Sequence, residues 1–313
     1  MHALLLQSQG LTVERPARTT GTLIGVGASA LALLLGIALL IKALDWPVSF
    51  PQFLAFFGAG LLLPLSLLFA FWAYGCYSLR YAVGQTGLTV GWGTMRHFIP
   101  LHSIEKLIPG RGEQRPRPGG LSWWGCHIGR GQADGLGSVL FFSTHRAPEE
   151  LVYVQTAGAV YALSPPDPER FIAAAQRLQR AQPADAQMGV QASTVSRNLI
   201  ARHPIWVDGA AQALAIASIA INLALWGFVF AVYPHLSDQI TIEFPPVGDI
   251  TTLASRSDIL RVPATASAIL GTNLVAALAF QWRERAAAYL LLGGAVFLQL
   301  LFWVGALVTV LNA

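Results

Sequence analysis

Three arginines, Arg111, Arg115 and Arg117, stand in the segment PGRGEQRPRPGG (residues 109–120), with Glu113 as the single acid among them. Held near an anionic leaflet, each arginine contributes about 1 kcal/mol of attraction. Arg96 and the pair Trp123-Trp124 complete a candidate patch, since indoles favour the headgroup level of a bilayer. The same residues also read as a solvated loop above two partly buried aromatics. Attraction of this kind accounts for affinity and not for inositide specificity.

Other chemistry finds little support. The glycines Gly129, Gly131, Gly135 and Gly137 lack the spacing of a phosphate-cradling loop and open no helix, so they read as a hairpin turn. The chain holds two cysteines, Cys76 and Cys126, with no CxxC pair, and both read as small packing residues. His97, His102, His127 and His145 are scattered through one region and read as packing or surface groups. No nucleophile elbow, HExxH or paired-carboxylate pattern occurs. The expectation is a non-enzymatic protein without cofactor or metal, and without nucleic acid among its partners.

What must position the arginines is a membrane protein. Of 313 residues 54% are hydrophobic and 12% charged, about half the charge of an ordinary soluble domain. Uncharged runs at Thr22–Ile41, Phe53–Tyr77, Gly209–Tyr233, Ala264–Phe280 and Ala286–Leu311 predict five transmembrane helices. The first contains Ala28-Ser29-Ala30, which mimics a cleavage site, but the run is longer than a signal-peptide core and reads as a retained helix. The first two runs are separated by about ten residues and form a hairpin. Asn222, Asn273 and Gln299 are polar exceptions within the spans, suited to bridging helices at about 0.6 kcal/mol apiece.

Between the second and third runs lies a soluble insert. Leu88, Val90 and Trp92 alternate with Thr89, Gly91 and Gly93, the period of a half-buried strand. Residues 97–101, 103–108, 138–143, 151–156 and 159–164 read as further strands. Asp167-Pro168-Glu169 then opens a helix whose Phe171, Ala174, Ala175 and Leu178 share one face. The predicted class is an α-helical integral membrane protein of five spans, with an inserted, partly open β-barrel closed by a C-terminal helix. Its divisions are 1–78 (a polar lead of some twenty residues and the helical hairpin), 79–182 (the soluble domain), 183–207 (a flexible linker) and 208–313 (three spans with the loop 234–263).

Lysine and arginine accumulate on the cytoplasmic side of membrane proteins. Arg15, Arg18, the insert, Arg283 and Arg285 share one side of this arrangement, and the acid-bearing 234–263 loop takes the other. The expected localisation is the plasma (inner) membrane, with the N-terminus and the insert cytoplasmic and the C-terminus extracytoplasmic.

The insert also carries a family likeness. R-Y-x-V-x-x-x-G-L-x-V at Arg80–Val90, I-P-L-x-x-I at Ile99–Ile104, Pro109-Gly110, Trp124-Gly125, G-S-V-L-F-F at Gly137–Phe142 and S-P-x-D-P-x-x-F at Ser164–Phe171 appear in order. Over residues 77–182 the chain resembles the bacterial pleckstrin-homology-like domains, which implies a seven-stranded barrel closed by a helix. A second likeness covers residues 233–273. L-S-D-Q-I-T-I-E-F at Leu236–Phe244, with Gly248 and Arg256-x-Asp258-Ile259-Leu260, is similar to an extracytoplasmic module of membrane proteins related to toxin-immunity signalling proteins. That module has a histidine where this chain has Glu243 and an aspartate near Thr251, so only position and topology carry over. The functional expectation is a cytoplasmic module that binds membrane lipid headgroups or a protein partner, as sensor or scaffold. The alternative is a transporter- or channel-like component regulated by the insert; no Asp, Glu, Lys, Arg or His stands inside a span away from its ends to favour it.

Overall fold

The computed structural model describes residues 12–181, 194–196, 203–243 and 251–311. Five helices are long and apolar enough to cross a membrane: Thr19–Asp45, Phe50–Ser78, Gly209–His235, Arg256–Phe280 and Arg285–Leu311. They answer to the five uncharged runs and mark a membrane protein. The turn between α1 (Thr19–Asp45) and α2 (Phe50–Ser78) is shorter than expected, Trp46–Ser49. Gln52 closes it by donating from Nε2 to the carbonyls of Ala43 (2.7 Å) and Trp46 (2.9 Å). The chain divides into two compact units, residues 1–33 with 64–198 and residues 34–63 with 199–313.

The first unit holds the inserted domain. β2 (Arg80–Val83), β3 (Gly87–Trp92) and β4 (Met95–Pro100) form a meander. Two strands from outside the expected domain widen it: β1 (Thr12–Glu14), from the lead before α1, and β11 (Thr194–Ser196), from the segment read as linker. The rest of that segment up to residue 202 lies outside the described residues. The second sheet contains β5 (Ile104–Pro109), β6 (Leu121–Trp123), β7 (Cys126–Ala133), β8 (Gly137–Ser143), β9 (Val152–Thr156) and β10 (Val160–Leu163). Its order is β5-β9-β10-β8-β7-β6, antiparallel throughout except for the parallel pair β8–β10.

The glycine-rich stretch forms the expected hairpin turn in part. Gly135 (φ +78°) stands in the turn from β7 to β8 and Gly137 (φ +72°) opens β8, whereas Gly129 and Gly131 belong to β7. Residues 117–120 run so close beside β7 that a Cβ on Gly131 would lie 2.7 Å from the Gly119 nitrogen. The missing side chain lets that segment approach.

Side chains from both sheets close one core, Tyr81, Leu88, Val90 and Ile99 from the first against Ile128, Phe142, Val154 and Leu163 from the second. The buried Tyr81 hydroxyl ties the sheets, donating to the Phe142 carbonyl (2.6 Å) and accepting from the Ser164 amide (3.1 Å). Burial pushes its ionisation well above the ordinary tyrosine range. The expected helix is α3 (Pro168–Arg180), capped by the Asp167 carboxylate, which accepts from the Arg170 amide at 2.9 Å. Phe171 and Ala175 are its buried residues, with Ile172 and Leu178 packed at the margin.

The same unit joins this domain to the ends of α1 and α2. Trp123 donates from Nε1 to the Gly21 carbonyl (2.9 Å), and Cys76 Sγ lies 3.6 Å from the Gly125 carbonyl. Arg18 donates to the Tyr77 carbonyl (2.5 Å) and sits 4.2 Å above the Tyr77 ring centroid. Both cysteines are fully buried at this junction.

In the second unit, α4 (Gly209–Val232), α5 (Arg261–Phe280) and α6 (Arg285–Leu311) pack around a polar knot. Asn222 Nδ2 donates to Gln299 Oε1 (3.0 Å), Gln299 Nε2 to the Ala266 carbonyl (3.0 Å), and Ser267 Oγ to Asn222 Oδ1 (3.0 Å). Asn222 and Gln299 therefore bridge helices as expected, while Asn273 takes no part. Gln299 is fully buried. Replacing it by leucine strands the Asn222 amide, and should cost roughly 1–2 kcal/mol in detergent unfolding of the full chain. The double variant with Asn222→Leu should cost less than the two single changes added together. The polar loop expected between α4 and α5 contains a two-stranded ribbon, β12 (Gln239–Glu243) and β13 (Thr251–Ser255). Residues 244–250 lie outside the described residues.

Candidate functional site

The loop from β5 to β6 begins with a tight turn, Gly112–Gln114, which the Gln114 side chain fastens by accepting from the Arg111 amide at 2.6 Å. Arg115 then adopts a left-handed backbone (φ +32°), alone in this among the described non-glycine residues. Arg117 is pinned to β7 by two backbone hydrogen bonds with Gln132, 2.8 and 3.0 Å. Pro116 and Pro118 fix the backbone on both sides of it. The loop is thereby shaped, and not merely solvated.

Strand register supplies the opposite wall. Ser122 of β6, His127 of β7 and Ser143 of β8 lie opposite one another across three strands, and His145 follows Ser143 by two positions. His127 Nδ1 is 2.8 Å from Ser122 Oγ, and His145 Nδ1 is 2.9 Å from Ser143 Oγ. The two imidazole rings lie 4.4 Å apart, centroid to centroid. With Arg115, Arg117, Trp124 and Arg146 they line a cavity of about 470 Å³. Burial lowers the basicity of both rings; His145 falls to about 4, with His127 adding to the effect. At neutral pH the cavity therefore carries its positive charge on three guanidinium groups.

Two carboxylates stand nearby. Asp134 is 3.9 Å from the Arg117 guanidinium, with both side chains at least half exposed, a distance and exposure that leave little binding between them. Glu150 accepts from the Arg146 amide at 2.9 Å. Among the described residues no cluster of three or more His, Cys, Asp or Glu is close enough to hold a metal ion. A second cavity of about 440 Å³, among Phe53, Phe57, Trp226 and Phe230, is walled by apolar groups and offers no charge to an anion.

Of the residues singled out in the sequence, Arg115, Arg117 and Trp124 meet at this cavity. Trp123 turns away to pack beside Trp72 and bond Gly21. Arg111 lends its backbone to the turn, and Arg96 lies on β4 in the other sheet. His127, His145 and Arg146 were not legible as partners. Only the cross-strand register brings them together.

One residue of the cavity wall stands close to α1. Trp124, 67% exposed, stands between Trp123, bonded to Gly21, and Gly125, whose backbone touches Thr20 and Gly21. All three contacts are with the first turn of α1, next to where its apolar run begins. Comparison with known proteins then decides the domain's family. Residues 79–179 match the bacterial PH domain family. No curated protein and no solved structure matches the chain.

The PH domain so delimited starts directly after α2 and ends within α3, so β1 and β11 are additions from beyond its bounds. The cavity lies wholly within it. The match stops well before the 233–273 segment, whose likeness to an extracytoplasmic module rests on its sequence alone.

Proposed function

We propose that this membrane protein is a non-enzymatic sensor or scaffold whose PH domain reads anionic lipid headgroups at the cytoplasmic face of the plasma (inner) membrane. The observation that supports the reading is the arginine-lined cavity, with exposed Trp124 in its lining and the flanking Trp123 and Gly125 against the first turn of α1. A span that begins there would bring the cavity to headgroup level, which supports the reading. The concentration of lysine and arginine in the N-terminal lead, the insert and the Arg283–Arg285 loop supports the cytoplasmic orientation.

Three arginines at about 1 kcal/mol each give on the order of a 100-fold preference for an anionic over a zwitterionic surface. The test is Trp124 emission, taken as the difference between wild type and Trp124→Phe, with the full chain in nanodiscs. Replacing phosphatidylcholine in part by phosphatidylglycerol should shift that emission to the blue and shield it from acrylamide. Arg115→Ala/Arg117→Ala/Arg146→Ala should abolish the change while leaving the melting temperature in place, since all three side chains are exposed. A wild-type signal indifferent to phosphatidylglycerol would sink the proposal, and a response only to added protein would move the module to the protein-binding class.

A further inference from the structure

Within the headgroup reading, the two histidines ask for an explanation that arginine attraction does not supply. An arginine patch needs no imidazoles, yet His145 is 6% exposed and forms part of the cavity wall. Each ring has its Nδ1 on a serine hydroxyl. A hydroxyl can donate to a neutral ring nitrogen or accept from a protonated one simply by rotating, so neither serine fixes the charge state. With the ring centroids 4.4 Å apart, a positive charge on one ring disfavours a positive charge on the other. The charged groups around them are Arg115 and Arg117 from the loop, Arg146 beyond β8, Asp134 beside Arg117 and Glu150 on the Arg146 amide. Neither acid figures among the groups that set the histidines' basicity.

We propose that the cavity binds a tetrahedral oxyanion, a phosphate group in the cell, between the three guanidinium groups and the His127–His145 pair, and that binding draws a proton onto that pair. The proton comes from solvent and no covalent bond changes. The proposal rests on the cavity being an anion site and adds to it the ligand class and its control by pH.

The sign follows from linkage. Without anion burial lowers the basicity of both rings, His145 to about 4. An anion in the cavity favours the charged ring and raises that value. Affinity is therefore greatest at acid pH and falls as pH rises through the anion-bound value, by up to about tenfold per pH unit for one proton. In the empty protein the same histidines remove stability on acidification, because the unfolded chain takes up protons at an ordinary imidazole value of about 6.5 and the folded chain does not.

Sulfate is the decisive probe, since its charge does not change between about pH 5 and pH 7.5. Calorimetric titration of the detergent-solubilised full chain should show sulfate binding at least about tenfold tighter at the lower pH. The heats should depend on the buffer's ionisation enthalpy, reporting about one proton taken up. His127→Gln should flatten the pH dependence and retain binding through the arginines. His145→Gln is the stronger test if it folds; if it does not, the wild-type buffer dependence and His127→Gln decide. Inorganic phosphate and phosphatidylglycerol nanodiscs, run in parallel, distinguish a free anion from a headgroup as the source. Sulfate binding that is equal at both pH values and independent of buffer would overturn proton coupling and leave the headgroup reading intact. No sulfate or phosphate binding at either pH, with the nanodisc response preserved, would overturn the cavity as the anion's seat.

Discussion

Alanine at Gly21 should lower the stability of the full chain in detergent by roughly 2–4 kcal/mol. A Cβ there would press into the Gly125 carbonyl oxygen and stand 2.8 Å from Cys76 Sγ. Neither neighbour can step aside. Gly125 holds a positive φ of 81° between Trp123, bonded to the Gly21 carbonyl, and the fully buried Cys126. Overpacking of this kind costs about 1–3 kcal/mol, and retreat of the helix would forfeit the Trp123 bond, worth about 1 kcal/mol more. Gly27, two turns along the same helix, is the control. Nothing lies within 4 Å of its would-be Cβ, so alanine there should be neutral or gain up to about 1 kcal/mol from helix propensity. Thermal unfolding of the two variants decides the matter; equal melting temperatures would show that the domain does not bear on α1 in this way.

Phe171→Ala should be costlier still, about 3–5 kcal/mol out of a total stability of about 5–15 kcal/mol. The ring is fully buried and meets Tyr81 edge-on at 6.3 Å. Because α3 is seated on the sheets chiefly through Phe171 and Ala175, the cavity left by the ring removes most of what docks the helix. Gln179, which donates to the Ile104 carbonyl at 2.8 Å, cannot hold it alone. Far-UV circular dichroism with heating should show early loss of helix signal in a chain whose spans remain helical. Unchanged melting would mean that α3 is held by something other than its apolar face.

The spans and α3 were legible because each depends on a local signal: an uncharged run of sufficient length, or an N-cap followed by a repeating apolar face. Thr12–Glu14 carries no such signal. Three residues in a polar lead become a strand only because Tyr81, Ala82 and Val83 offer them an edge. β7 was hidden by its own glycines, whose purpose is to admit the 117–120 segment. The site divided along the same line. Arg115, Arg117 and Trp124 advertise themselves by type and crowding, whereas His127 and His145 look like scattered histidines until strand pairing sets them against one another. Information that resides in register is not written in any short stretch of sequence.

The pairing of β1 with β2 has a consequence for the making of the protein. Glu14 lies opposite Tyr81, and all of α1 and α2 is threaded between them. Two strands can pair only when they are in the same compartment, so the number of bilayer crossings between them must be even, whatever the absolute orientation. A chain in which one helix of the hairpin failed to insert would leave Thr12–Glu14 and Arg80–Val83 on opposite faces, with the first sheet short of an edge. The β1–β2 pairing is thus compatible only with an even number of crossings by α1 and α2.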